Sequence, residues 1–374
     1  PVAPRERWKR AKAVSAIAAF AAIALAAFVI VRQMLPRDEP RQKAGAGSGA
    51  VAPLPAPASN PSAPEVVMEA PKAITAVGAP IAPTAPPTPS VSAAQLAAAQ
   101  PWLTRLNYYR GLAGLAAVAP DPALEAGDIA HARYLVKNDG ANMKTGAIGA
   151  EAHTEDASNP WYSHEGLIAA QASDVEEGFQ PNESAWISPA IAIDGWISIP
   201  FHRLAILNPG LHSAGYGQYC EDGYCAAAMN LLTDRDEAPS LPQILPKPIM
   251  FPPDGSTLPL KSWQGEWPNP LTSCPGYTGP SGLAITLQLG LTLVARLKDY
   301  KVTSDGGARS AIETCGFDST TYVNPDPVAQ HSARRILTNL GAVVIVPREP
   351  LEPGHYTVTL TANDRPYAWS FTIR

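Results

Sequence analysis

Proline sets the limits of this fold. It supplies 40 of the 374 residues, about twice its usual ~5% share. Inside a helix each proline costs about 3 kcal/mol, so a mostly helical globule is excluded and part of the chain must be linker. Between Pro36 and Pro89 there are 13 prolines, set among Ala, Gly, Ser and Val, and no aromatic residue occurs between Phe28 and Trp102. Such a stretch buries too little apolar surface to offset chain entropy. Residues 32–97 therefore read as a tether, and 57 of its residues extended at ~3.1 Å each reach about 180 Å.

Ahead of the tether lies an uncharged run from Ala13 to Val31 containing Phe20, Ile23, Leu25, Phe28 and Ile30. As a helix it spans about 28 Å, close to the ~30 Å hydrocarbon core. Arg5, Arg7, Lys9, Arg10 and Lys12 precede it, opposed only by Glu6. The basic excess predicts a cytoplasmic tail at 1–12, a transmembrane helix at 13–31 and everything after it outside the membrane. A cleaved signal peptide is the alternative reading; the apolar run is longer than a usual signal core. Lys plus Arg total 28 and Asp plus Glu 33, a net charge of −5. That balance argues against nucleic acid as the partner, because phosphate binding needs a dense basic face.

Folded sequence begins near 98. Trp102, Leu106, Tyr109 and Leu112 recur at helical spacing behind Pro101. Asp121-Pro122 opens a second helix through Leu124, Ile129, Leu135 and Val136, ending near Asn138-Asp139-Gly140. A polar stretch holds His153, Glu155, Asp156, Trp161, Tyr162, His164 and Glu165. A third helical pattern covers Ala190 to Trp196. Leu211 to Cys220 reads as a strand, Glu221-Asp222-Gly223 as a hairpin turn, and Tyr224 to Leu231 as the return. Helices first and antiparallel strands last predict an α+β class.

In that order these segments resemble the CAP superfamily: cysteine-rich secretory proteins, venom antigens, plant pathogenesis-related proteins and bacterial relatives. The resemblance runs from 101 to 231, within a domain bounded at 98–237. Asn107-Tyr108-Tyr109-Arg110 looks like the opening helix, and Leu124, Ala126, Ala130, His131 and Ala132 like the second. The most specific run is Gly195-Trp196-x-Ser198-x-Pro200-x-His202-Arg203, followed by Ile206-Leu207-Asn208-Pro209 and Gly215-Tyr216-Gly217.

The resemblance implies an α-β-α sandwich with an open cleft into which two histidines and up to two acidic residues point, a set that holds a divalent metal in some members. His153, Glu165 and His202 carry over as the cleft residues. The family's second glutamate is absent: Ser198 and Ile199 stand after Trp196. Glu155, Asp156 and Asp194 are the candidates for a further carboxylate, which no motif assigns, with Trp196, Ser198 and Arg203 in support. Two imidazoles and a carboxylate suit zinc with an open position for water, and Mg²⁺ or Ca²⁺ are the other candidates. A zinc-bound water would attack a carbonyl. Without metal, a His–Glu pair polarises a ligand through hydrogen bonds, or the same groups form a buried polar network holding helices to sheet.

Among the other candidates, His131 and His212 read as packing or structural histidines, and His164 as a substitute for Glu165 or His153. Trp161, Tyr162 and Trp186 read as core aromatics or as a cleft wall for sugars or lipids. No G-x-S-x-G elbow is present. Cys220 and Cys225 flank the Asp-Gly turn and suit a hairpin disulfide; Cys274 and Cys315 lie further on. Four cysteines permit three pairings, and bridges are stable outside the cytoplasm.

After Ala238-Pro239-Ser240-Leu241-Pro242 the chain becomes strand-like. Leu283 to Leu289 alternates and Ala342 to Val346 is continuously apolar. Tyr356, Val358 and Leu360 share one face, and Tyr367, Trp369, Phe371 and Ile373 another. A small β-sandwich over 243–374 follows, loosely resembling bacterial immunoglobulin-like modules. The expected protein is a membrane-anchored surface protein that binds or scaffolds at the cell envelope, with a cell-wall, lipid or protein ligand. A metal-dependent hydrolase of peptide, glycan or lipid and a purely structural spacer are the alternatives.

Overall fold

The computed structural model of the protein describes residues 100–143, 149–179, 188–305 and 310–374, with side chains omitted for 139–143. The expected cytoplasmic tail at 1–12, the apolar segment 13–31, the whole of the expected tether at 32–97 and Trp186 lie outside these residues. No helix among the described residues is long and apolar enough to cross a membrane.

Helices α1 (Pro101–Leu112), α2 (Pro122–Met143), α3 (His164–Ala172), α4 (Pro189–Ser198) and α5 (Pro200–Ile206) belong to the first half. Four of them start on proline, where the missing N–H would have no partner anyway. That placement lets a proline-rich chain keep its helices. α2 runs past the stop expected at Asn138-Asp139-Gly140 and ends at Met143.

Strands β1 (Ser173–Phe179), β2 (Gly217–Glu221) and β3 (Tyr224–Asn230) form an antiparallel sheet in the order β1-β3-β2. Alternation along β3 divides the core. Cys225, Ala227 and Met229 join the cluster of Trp102, Leu106 and Trp196 on α1 and α4. Ala226 and Ala228 join Ala132 and Leu135 on α2. The result is the expected helix–sheet–helix sandwich. Asp222 and Gly223, at φ 52° and 82°, make the hairpin turn, and Cys220 pairs with Cys225 across it.

The second half forms two large sheets and a short two-stranded ladder of Ser262–Trp263 with Ser281–Gly282. The first has the order β9-β10-β6-β4, from β4 (Gln243–Phe251), β6 (Ile285–Leu291), β9 (Thr314–Asp318) and β10 (Ala342–Pro347). The second has the order β8-β7-β11-β12-β5, from β5 (Thr257–Leu258), β7 (Leu297–Ser304), β8 (Ser310–Ala311), β11 (Gly354–Ala362) and β12 (Arg365–Ile373). Leu287, Val343 and Ile345 pack with Val302, Val358, Leu360 and Phe371 between the sheets. The continuous apolar run of β10 is explained because its other face, Ala342, Val344 and Val346, is buried as well. A β-only second half is corrected by a helix, α6 (Pro327–Asn339), capped by the Asp326 side chain, which accepts from Val328 N at 2.9 Å. Its Ala333 and Leu337 cover the outer face of the four-stranded sheet.

The two halves share one core. Tyr109 of α1 packs edge-on against Phe251 of β4, with ring centroids 6.2 Å apart. Phe201 of α5 packs against Phe317 of β9 and edge-on against Tyr322. The layer made by α1, α4 and α5 is thus covered by β3 on one side and by the four-stranded sheet on the other. Two buried arginines lace it together. Arg110 donates to Ala116, Ile206 and Asn208 carbonyls at 2.8–2.9 Å. Arg203 donates to Ile197, Ser198 and Ala284 carbonyls at 2.6–2.8 Å, and its guanidinium lies 4.3 Å from the Phe251 ring centroid.

The Gly215-Tyr216-Gly217 motif has a steric cause. A Cβ on Gly217 would stand 2.2 Å from Ile129 N and 2.5 Å from the Asp128 carbonyl carbon, both in the α2 backbone. Only glycine lets β2 approach α2 so closely. Gly217→Ala is expected to destabilise the fold by at least the ~1–3 kcal/mol usual for overpacking, read as a lowered urea midpoint with an unchanged slope.

Candidate functional site

The site grows from the start of α5. A helix leaves its first N–H groups without partners, and here they face a carboxylate from the other half of the chain. Glu266 accepts from Phe201 N at 3.1 Å and His202 N at 3.2 Å. The same carboxylate accepts from Nδ1 of His202 at 2.8 Å, and its side chain is fully buried. Glu266 thereby caps α5 and orients the His202 ring by its Nδ1–H, directing Nε2 away from the pair.

Beyond it opens a cleft of about 640 Å³. His153 and His202 both line it, together with Asp174 from β1 and Trp267, the neighbour of Glu266. His153 ends a short 3₁₀ turn, Ala150–His153. Its Nδ1 donates to the Ala170 carbonyl at 3.2 Å, which leaves Nε2 as the lone-pair nitrogen. The ring centroids of His153 and Trp267 are 5.9 Å apart. Asp174 and Glu176 alternate with Val175 along β1, so both carboxylates share the face opposite α2. Each has one buried oxygen without a hydrogen-bond partner among the described residues.

The two imidazoles are held in different charge states. Burial lowers His153 to about 4, and the charge on His202 pushes it the same way. Burial also opposes charge on His202, but Asp174, Glu266 and Glu176 outweigh it and raise the group to about 9. Near neutral pH the cleft therefore offers a neutral acceptor at His153 and a cationic donor at His202. Burial raises Asp174 and Glu176 to about 7, each restrained by the His202 charge.

Several expected residues stand elsewhere. His153 and His202 both line the cleft, and Glu165 does not. It is exposed in the first turn of α3, behind the Ser163 cap. Glu155 is buried yet spent on His131, whose Nδ1 lies 2.9 Å from it while Nε2 lies 2.9 Å from the Ala152 carbonyl. Asp156 is exposed and binds Ser158. Asp194 clamps α4 to α1 through Arg105 at 2.8 Å and Tyr109 Oη at 2.7 Å. Trp196 is core and donates to the Val175 carbonyl at 3.4 Å. Ser198 donates to the Gly195 carbonyl at 2.6 Å, and Arg203 acts as the lace described above rather than as a cleft group.

His164 is exposed, and His212 pairs with Asp236 at 2.8 Å at the surface. Trp161 lies at the surface beneath Arg133 and Lys137, not in the cleft. Cys274 pairs with Cys315, which ties the segment following Trp267 to β9. Glu266 was missed, although it is the only charged residue between Lys261 and Arg296; a solitary charge in so apolar a stretch is a signal of a buried partner.

Nδ1 of His202 is held by Glu266, the back-hydrogen bond usual for a metal-binding imidazole, which leaves Nε2 as the nitrogen that would ligate on losing its proton. Among the described residues no group of three or more His, Cys, Asp or Glu is arranged to hold a metal ion.

Residues 103–229 match the family model described as "CAP: Cysteine-rich secretory protein family". This stretch is a CAP domain. The match covers its helix–sheet–helix sandwich and both cleft histidines, while Glu266 and Trp267 lie beyond it. The search of curated proteins found no match. Solved structures similar to the chain include that of PcoC, a methionine-rich copper resistance protein from Escherichia coli, with 17% identity over 36% of this chain and 100% of that one and a TM-score of 0.20. Its selenomethionine form shows 16% identity over 33% and 95%, with a TM-score of 0.18. At such scores the likeness carries no argument about fold or copper. The β-rich second half is consistent with an immunoglobulin-like module appended to the CAP domain.

Because the folded pKa of His202 is raised, the pair's contribution to stability is complete below pH ~6.5 and is lost as pH rises through about 9. Glu266→Gln should lower the His202 pKa, read from its imidazole proton shifts, and flatten the loss of stability over that window. Glu266→Ala, which strands the His202 charge, is expected to cost about 3–5 kcal/mol in chemical denaturation.

Proposed function

We propose that this protein is a membrane-anchored binding or scaffolding protein of the cell envelope, whose CAP domain and β-rich half present one ligand cleft outside the membrane. The observation that carries this reading is the pairing of a neutral His153 with a cationic His202 in a cleft walled by both halves of the chain. Fixed donors and acceptors around a cavity within the ~300–1,000 Å³ range of small-molecule sites are the usual form of a recognition pocket. Two disulfides, Cys220–Cys225 and Cys274–Cys315, suit an oxidising compartment. The basic flank before 13–31 supports the same orientation.

The arrangement gives little support to a metal-dependent hydrolase. A histidine held cationic is a poor general base, and among the described residues the His202 ring is partnered by Glu266 rather than by a nucleophilic hydroxyl or thiol. Calorimetry of the full chain with Zn²⁺, Mg²⁺ and Ca²⁺ should show no saturable heat at millimolar metal; a saturable isotherm abolished by His202→Ala would restore the metal reading. Chromogenic esters, peptides and glycans supplied with Zn²⁺ should be turned over no faster by the protein than by its His153→Ala/His202→Ala variant. Turnover dependent on either histidine would replace binding by catalysis. A reporter active only outside the cytoplasm should be functional when fused after Arg374; activity confined to the cytoplasm would reverse the orientation.

A further inference from the structure

The cleft's chemistry narrows its ligand, and this step rests on the binding role proposed above. We infer that the cleft takes a short saccharide, with one pyranose ring laid against Trp267 and its hydroxyls shared between Asp174, His202 and the polar face of α6. Trp267 is half-buried, lines the cleft and lies beside His153, with ring centroids 5.9 Å apart. It is held from behind as well, since Pro268 and Pro270 beside it are buried and the segment is bridged through Cys274 to Cys315. A rigid aromatic plate of this kind matches the C–H face of a sugar ring, which is apolar while its rim is not.

The rest of the lining is mixed: Phe201, Leu291, Ile336 and Leu340 give an apolar wall, and polar groups are set into it. Nε2 of His153 accepts, and Nε2–H of His202 donates. Asp174 is 8% exposed and keeps one carboxylate oxygen without a partner among the described residues, so it calls for a donor. Across the cleft, Ser332, Arg335 and Asn339 follow at helical spacing on one face of α6. A hydroxyl both donates and accepts, so one ring of hydroxyls can satisfy this mixture from several sides. An acyl chain would leave these groups facing carbon, at a cost of about 1–3 kcal/mol for each buried group left unsatisfied. The His202–Glu266 pair is formally neutral, and the remaining charged groups of the lining, Asp174 and Arg335 among them, are of both signs.

The test is saturation-transfer NMR on the full chain with cellobiose and chitobiose as probes, and with octanoate and a neutral tetrapeptide as rivals. The expected result is transfer from protein to the ring C–H protons of at least one disaccharide. It should be lost at least tenfold in Trp267→Ala, retained largely in Trp267→Phe, and unaffected by Trp161→Ala on the far surface. Asp174→Asn should weaken binding by several fold. Equal urea midpoints for Trp267→Ala and the unaltered protein exclude unfolding as the cause. Binding of octanoate or peptide that depends on His202, with no transfer to either sugar, would overturn the saccharide and leave the binding cleft standing. Failure of every probe would overturn both.

Discussion

One buried carboxylate holds the site and the two halves of the protein together. Glu266 satisfies the leading amides of α5, neutralises His202 and lies near enough to Arg203 to favour its charge. Any of these partners left alone in the interior would be costly, because an unpaired buried charge loses its hydration without compensation. Arg203 in turn binds carbonyls on α4 and beyond β9's neighbour strand, at Ala284. The cleft is therefore a product of the seam between a CAP domain and a β-sandwich, and the CAP residues alone do not complete it.

The seam also explains the electrostatics. Three carboxylates, Asp174, Glu176 and Glu266, surround one imidazole, and only Glu266 is fully engaged by donors. Their field keeps His202 protonated against its burial, while burial, aided by that positive charge, keeps His153 neutral. Two chemically identical side chains are thus driven to opposite states by what lies next to each. Recognition of a ligand that both donates and accepts needs no more than this.

Much of the first half was legible because its signals are local. Asp121-Pro122, the turn at Asp222-Gly223 and the alternation along Tyr224–Asn230 are written in adjacent residues. Gly217 could be matched as motif, though its reason, the approach to α2, is tertiary. His153 and His202 were recoverable from a pattern of order and spacing. Their acidic partner was not, since Glu165 occupied the matching position while the working carboxylate came from 64 residues beyond His202. Nothing in local sequence encodes a contact between the two halves. Helix α6 was a different failure: Asp326-Pro327 carries the same opening signature as α2, and surrounding strand patterns hid it.

The doubly covered helix layer leaves a mark in composition. Phe201 and Leu204 are 3% and 0% exposed only because a sheet lies over α5. In a solitary CAP domain those side chains would meet water. Large apolar residues flanking the His-Arg pair of this motif are thus a written record of a permanent neighbour, and a relative bearing lysine or glutamate there should carry its α5 bare.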